Sequence, residues 1–283
     1  MKNSPKVSCI MTTFNSEKFL QESIESILNQ TFTDFEFIVS DWGSSDNTVK
    51  IIKDYQKKDS RIILLENKRR KWIADCLNDC MKIAKGKYIA VMESDDYSYS
   101  NRFEILYNIS VEKNLDFVIP ACNEWFNLQS KKITTYLNDD FKSIKYCVFN
   151  PPITVSWVFK KSLYDSVREF WSYTWDIRFF YDIFLNPDRK LQYLFINDVL
   201  YFKRENPNWA STPKKFFDEL FNNRIRIINK YRLQKGLKIK TYFNYYKYLL
   251  TYYWIKISKK FHVYSVISYI WRRLKLNKIF NWL

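Results

Sequence analysis

The sequence predicts an α/β fold built on a mostly parallel sheet flanked by helices, and three observations lead there. Short apolar runs alternate with segments of helical period over roughly the first hundred residues. The runs are predominantly apolar rather than apolar only at every second position, as expected of strands covered on both faces. Three of them stop abruptly in polar residues: Thr12 to Asn15, Asp41, and Glu93 to Asp96. In open parallel sheets, ligands bind in the crevice at the carboxyl ends of the strands, so these three ends are expected to converge on one site.

The elements follow in order. Lys6 to Thr13 reads as the first strand, and Ser16 is the expected N-cap of a helix carrying Phe19, Ile24, Ile27 and Leu28 on one stripe. Phe35 to Ser40 is the second strand. It ends in Asp41-Trp-Gly-Ser-Ser-Asp46, a turn in which Gly43 supplies positive φ and Asp46 caps a helix starting near Thr48. Arg61 to Leu65 is the third strand. Ile73 to Ala84 is a helix, with Gly86 read as its stop signal. Tyr88 to Met92 is the fourth strand, Asn101 to Asn114 a helix and Leu115 to Pro120 a further strand.

The fourth strand runs straight into Glu93, Ser94, Asp95 and Asp96. Three acids in four positions repel one another and are costly to desolvate. A divalent cation resolves that conflict, since carboxylate oxygens suit Mg²⁺ or Mn²⁺, and such a metal also holds phosphates. A solvated acidic turn is the plainer alternative, and the convergence of the other strand ends weighs against it.

Composition removes several chemistries. The chain of 283 residues contains only three glycines, and neither G-x-G-x-x-G nor G-x-x-x-x-G-K-[ST] occurs. The single histidine, His262, precludes a Ser-His or Cys-His catalytic system and a histidine metal site. Five cysteines without a C-x-x-C pair fit reduced thiols in the cytosol, and Cys76 and Cys80, one helical turn apart, read as small core residues. The start of the chain shows no signal-peptide pattern. The net charge of +16 is concentrated in residues 214–283, which hold 17 Lys and Arg against Asp218 and Glu219.

Six motifs in order carry a family resemblance: Val7-Ser-Cys-Ile-Met-Thr-Thr-Phe-Asn15, Ser23-Ile-Glu-Ser-Ile-Leu-Asn-Gln-Thr-Phe32, Asp41-Trp-Gly-Ser-Ser-Asp-Asn-Thr48, Ile73-Ala-Asp-Cys-Leu-Asn78, Ala84-Lys-Gly-Lys-Tyr-Ile-Ala90, and Glu93-Ser-Asp-Asp96 with Asn101-Arg-Phe103. The sequence resembles glycosyltransferase family 2, inverting enzymes of GT-A fold that include bacterial surface-polysaccharide transferases. The resemblance implies a Rossmann-like sheet and transfer of a sugar from a nucleoside diphosphate donor, usually UDP-linked, to an acceptor hydroxyl. It implies Mn²⁺ or Mg²⁺ at Asp95 with Glu93 and Asp96, and donor contacts from Thr13, Phe14, Asn15, Asp41, Trp42, Asp75, Ser94 and Asp95. Glu93 stands where the family's first Asp is usual, Trp42 where a second acid precedes the turn glycine, and Trp72 where a glycine is usual. The two tryptophans either stack on the base or sugar or fill space left by a lost polar contact.

On this reading residues 1–120 form the nucleotide-sugar half of the domain, 121–213 the acceptor half, and 214–283 a basic aromatic helical tail. Pro151 to Phe159 resembles the family segment that walls the sugar site. Inverting transfer needs a carboxylate to accept the acceptor's proton. The resemblance places that base at Asp176, for which a helix N-cap is the plainer role; Asp182 is the fallback. Arg178 and Lys203-Arg204 read as solvated surface rather than as groups facing the diphosphate. The tail lacks an uncharged apolar window long enough to span a bilayer; its basic, aromatic helices suit an anionic membrane surface. That points to a cytoplasmic enzyme peripheral to the inner face of the membrane, acting on a saccharide or lipid-linked acceptor. Oligomer packing is the second use of such a tail, and nucleic acid is not the expected partner. The competing function is a non-catalytic nucleotide-sugar-binding or scaffolding module with a degraded site.

Overall fold

The computed structural model describes residues 4–68, 71–127, 132–137, 156–167, 179, 183 and 190–204. All of them fall in the first of the chain's two units, Met1–Ile228. Fourteen elements succeed one another: β1 (Val7–Thr13), α1 (Leu20–Leu28), β2 (Phe35–Asp41), α2 (Thr48–Gln56), β3 (Ile62–Glu66), α3 (Ile73–Ile83), β4 (Tyr88–Glu93), β5 (Tyr97–Ser98), α4 (Arg102–Glu112), β6 (Phe117–Asn127), β7 (Lys132–Leu137), β8 (Val158–Lys160), α5 (Lys161–Val167) and β9 (Tyr193–Arg204). The tail at 214–283, Asp176, Arg178, Asp182 and residues 151–155 lie outside the described residues.

The strands join one sheet in the order β3-β2-β1-β4-β8-β6-β9-β5, with β7 added on β6. β1, β2, β3 and β4 are mutually parallel, as the alternation of apolar runs and helices predicts. Every residue of β2 and all but one in each of β1 and β4 are buried, which is why these strands show no polar alternation. Ile10, Phe37, Ile38 and Ile89 are fully buried at the centre, each contributing about 1.5–3 kcal/mol relative to exposure. Cys76 and Cys80 are buried in α3, and burial pushes both thiols up, Cys76 to about 11, in keeping with core residues.

β6 runs through residue 120, so the two sequence-defined halves share a strand. It pairs antiparallel with β8 and parallel with β9. β9 therefore points the same way as β1, β2 and β4, and its last residues arrive at the same edge as their carboxyl ends.

Two local expectations are corrected. The Ser16 hydroxyl does not cap a helix: regular α1 starts at Leu20, and Ser16 Oγ lies 2.8 Å from Ser94 Oγ. Gly86 is not a left-handed helix stop; of the described glycines only Gly43 has positive φ, at 98°. A Cβ at Gly86 would lie 2.4 Å from the backbone nitrogen of Ser8. The glycine is required because the turn into β4 presses against β1, and its N–H donates to Ser8 Oγ at 2.8 Å. Asp46 behaves as expected, accepting the Thr48 N–H at 3.0 Å.

Candidate active site

The parallel register sets the site. Thr13 of β1 pairs with Asp41 of β2, and Thr12 pairs with Glu93 of β4. Three polar strand ends thus finish side by side, as the sequence predicts.

The turn after β2 is a closed knot. Asp41, 1% exposed, accepts the N–H groups of Gly43 and Ser44 on Oδ2, each at 2.9 Å. Its Oδ1 takes the hydroxyls of Thr13 and Ser44. Asn15 sits at φ 47°, a strained value that Asn tolerates better than most residues. Its Oδ1 accepts the Ser45 N–H at 2.9 Å, and its own N–H reaches Ser44 Oγ at 2.9 Å. Trp42 is 6% exposed, with its ring centroid 4.6 Å from that of Phe14. Its ring packs against Phe14 beside the Asp41 turn. Trp72, in contrast, is 57% exposed at the N-cap of α3, and Asp75 is exposed in the first turn of that helix.

A ladder of buried polar side chains on α1 and just past its end fixes the segment after β4. Ser23 Oγ donates between the carbonyls of Ser94 (3.0 Å) and Asp96 (2.6 Å). Ser26 Oγ accepts the Ser98 N–H, and Gln30 bridges the Tyr99 carbonyl and the Phe103 N–H. The quoted Ser23 to Phe32 motif therefore uses one face of its helix to hold the acidic turn in shape.

Glu93, Asp95 and Asp96 each offer a carboxylate oxygen, all within 4.8 Å of one another. They are unequal. Asp96 is fully buried and anchored: Oδ2 accepts the Tyr201 hydroxyl at 2.7 Å, and Oδ1 the Arg204 N–H at 2.8 Å. Burial pushes its carboxyl well above the usual carboxylate range, against the pull of Lys203. Asp95 is 8% exposed, and the Glu93 side chain, 37% exposed, forms the open side. An all-oxygen set converging over this distance fits a divalent cation such as Mg²⁺ or Mn²⁺.

Sequence reasoning missed what completes the cluster. Lys203 is 7% exposed; its ammonium lies 3.3 Å from Glu93 Oε2 and 4.0 Å from Asp96 Oδ2. Burial opposes its charge, but Glu93, Asp96 and Asp95 more than offset this and hold the ammonium above the ordinary lysine range. Arg204 pairs with Glu22 and lies 4.5 Å from the Phe19 ring centre. Reading this pair as solvated surface is therefore corrected. Arg102, fully buried, donates to the Val91 carbonyl at 2.8 Å and lies 5.1 Å from the Tyr201 ring centre. The available signal was the apolar run at the end of β9 stopping in two bases, the counterpart of the β4 run stopping in acids.

The site thus joins a carboxylate cluster to the carboxyl end of β4 in a mixed sheet whose first four strands are parallel. The chain belongs to glycosyl transferase family 2, whose model matches residues 8–160. It is 37% identical over 175 residues to an uncharacterized glycosyltransferase of Methanocaldococcus jannaschii, covering 58% of this chain and 60% of that protein. It is 38% identical over 112 residues to the UDP-Glc:alpha-D-GlcNAc-diphosphoundecaprenol beta-1,3-glucosyltransferase WfgD of Escherichia coli, covering 40% of this chain and 44% of that protein. The chain thus spans under two thirds of either relative. Among solved structures, Staphylococcus aureus TarS 1-349 in complex with UDP-GlcNAc superposes with a TM-score of 0.64 at 19% identity, covering 82% of this chain and 68% of that one. The mannosyltransferase PcManGT of Pyrobaculum calidifontis, in complex with GDP-Man and Mn²⁺, gives 0.59 at 15% identity, covering 74% and 59%. The fold is GT-A.

Proposed function

We propose that this protein transfers a sugar, with inversion, from a nucleoside diphosphate donor to a hydroxyl of a saccharide or lipid-linked acceptor in cell-surface glycan synthesis. One observation carries the reading: three carboxylates within 4.8 Å at the carboxyl end of β4, beside the ends of β1 and β2. A UDP-linked donor is supported by the UDP-GlcNAc bound to TarS, and a lipid-linked acceptor by the name of the E. coli relative.

Asp95 and Glu93 would hold Mn²⁺ or Mg²⁺ from the open side of the cluster, with Asp96 anchored behind them. A divalent cation, when bound, supplies positive charge that stabilises the departing diphosphate. Thr13, Phe14, Asn15, Asp41 and Trp42 build the wall that receives base and ribose, with Asp75 and Ser94 at its borders. The hydrogen bonds that converge on Asp41 shape that wall. Asp176, outside the described residues, is assigned as the base that takes the acceptor's proton. The basic tail at 214–283 is assigned to the anionic inner face of the membrane; among the described residues no helix is long and apolar enough to cross one.

The burial of Trp42 where the family usually has an acid favours a second reading, a donor-binding module without catalysis. Nucleotide release from UDP-, GDP- and dTDP-sugars with Mn²⁺ separates the two, wild type against Asp95→Ala. Metal-dependent release from one donor, lost in the variant, supports the transferase. Release from none, together with no donor binding by calorimetry, overturns it; binding without turnover, acceptor sugars included, selects the module.

A further inference from the structure

The acidic cluster already contains a cation of its own. β9 alternates so that Tyr201 and Lys203 share the buried face that meets the acids, while Phe202 and Arg204 fall on the other. A lysine 7% exposed is rare, because taking an ammonium out of water is costly unless carboxylates compensate it. Here the compensation comes from Glu93 at 3.3 Å and Asp96 at 4.0 Å. Glu93 is thus both the most open acid of the cluster and the one nearest the lysine. Any divalent cation using Glu93 must share that carboxylate with a fixed positive charge, and like charges at such separations repel strongly in a partly dry site.

We propose that Lys203 is a built-in counter-cation that competes with the divalent metal for Glu93, and so sets how weakly the cluster holds a bare metal ion. The lysine is a positioning residue: it keeps the three carboxylates charge-compensated and in place when no metal is bound. Bare metal then binds poorly, and occupancy depends on the diphosphate that arrives with it. This rests on the cluster being the metal site of the proposed transferase.

The test is Mn²⁺ binding to the full chain without donor, followed by electron paramagnetic resonance, for wild type, Lys203→Met and Lys203→Arg. Tenfold or greater tightening in Lys203→Met, with Lys203→Arg within about threefold of wild type, supports the proposal. A lysine that merely braced the fold would give the opposite result on removal, a looser or lost Mn²⁺ site. Unchanged or weaker Mn²⁺ binding in Lys203→Met overturns it. If that variant is too unstable to purify, Lys203→Gln, which keeps a polar but uncharged side chain beside Glu93, takes its place under the same criteria. UDP binding by wild type in saturating Mn²⁺ is measured alongside. Wild type binding both Mn²⁺ and UDP, without tightening on loss of Lys203, fails this inference alone; wild type binding neither fails the site assignment itself.

Discussion

The Tyr201 hydroxyl donates to Asp96 Oδ2 at 2.7 Å and accepts the Glu93 N–H at 3.3 Å, so a single phenol spans the acidic turn from its first residue to its last. Tyr201 is fully buried, and water cannot replace what it supplies. Tyr201→Phe keeps the ring but leaves a buried carboxylate and a backbone N–H each short of a partner. The expected loss is about 1–3 kcal/mol of stability, read as a lower urea midpoint at unchanged slope. A change under roughly 0.5 kcal/mol, the size of an ordinary surface substitution, would show that the bond carries no weight.

Gly86→Ala tests the close approach of β4's lead-in to β1. The added methyl would meet Ser8 N at 2.4 Å and the Val7 carbonyl carbon at 2.6 Å, both backbone atoms that cannot rotate aside. Overpacking of this kind costs about 1–3 kcal/mol. Thermal unfolding should show a clearly lowered midpoint. Since Gly86 φ lies outside the left-handed region, the same substitution would be nearly silent if backbone freedom alone had selected glycine.

Asp41→Asn separates a structural acid from a ligand-binding one. Four protein donors already converge on the two oxygens of Asp41. An amide in its place must turn an NH₂ toward some of them, at a cost of about 1.5–3 kcal/mol for a lost bond to a charged group. The unfolding midpoint should therefore fall, with any weakening of donor binding accompanying it. Normal stability combined with weakened UDP binding would instead mean that Asp41 meets the nucleotide directly.

How much of this was legible in the sequence depended on distance along the chain. β1, β2 and β4, buried along nearly their whole length, and the partly exposed β3 all lie within a residue of the mostly apolar runs that mark them. The Glu93, Asp95 and Asp96 cluster was legible because its members are adjacent. Lys203 and Tyr201 were not, since their partners lie more than a hundred residues away and only the sheet order brings β9 to that edge. The sequence around Gly86 signals only a helix stop, while its actual constraint is steric and belongs to a neighbour in another strand. Trp42 illustrates the same limit: its identity was plain, but whether it faced a ligand or Phe14 depended on packing.

The separation between Glu93 and Lys203, 110 positions, also places the site in time. At roughly 5–20 residues per second, about 5–20 s of synthesis divides the emergence of the acids from that of their internal counter-charge. During that interval the first four strands can pair, but their acidic edge has neither Tyr201 nor Lys203 to steady it. The nascent chain therefore carries its acidic edge electrostatically open until β9 slots in beside β6.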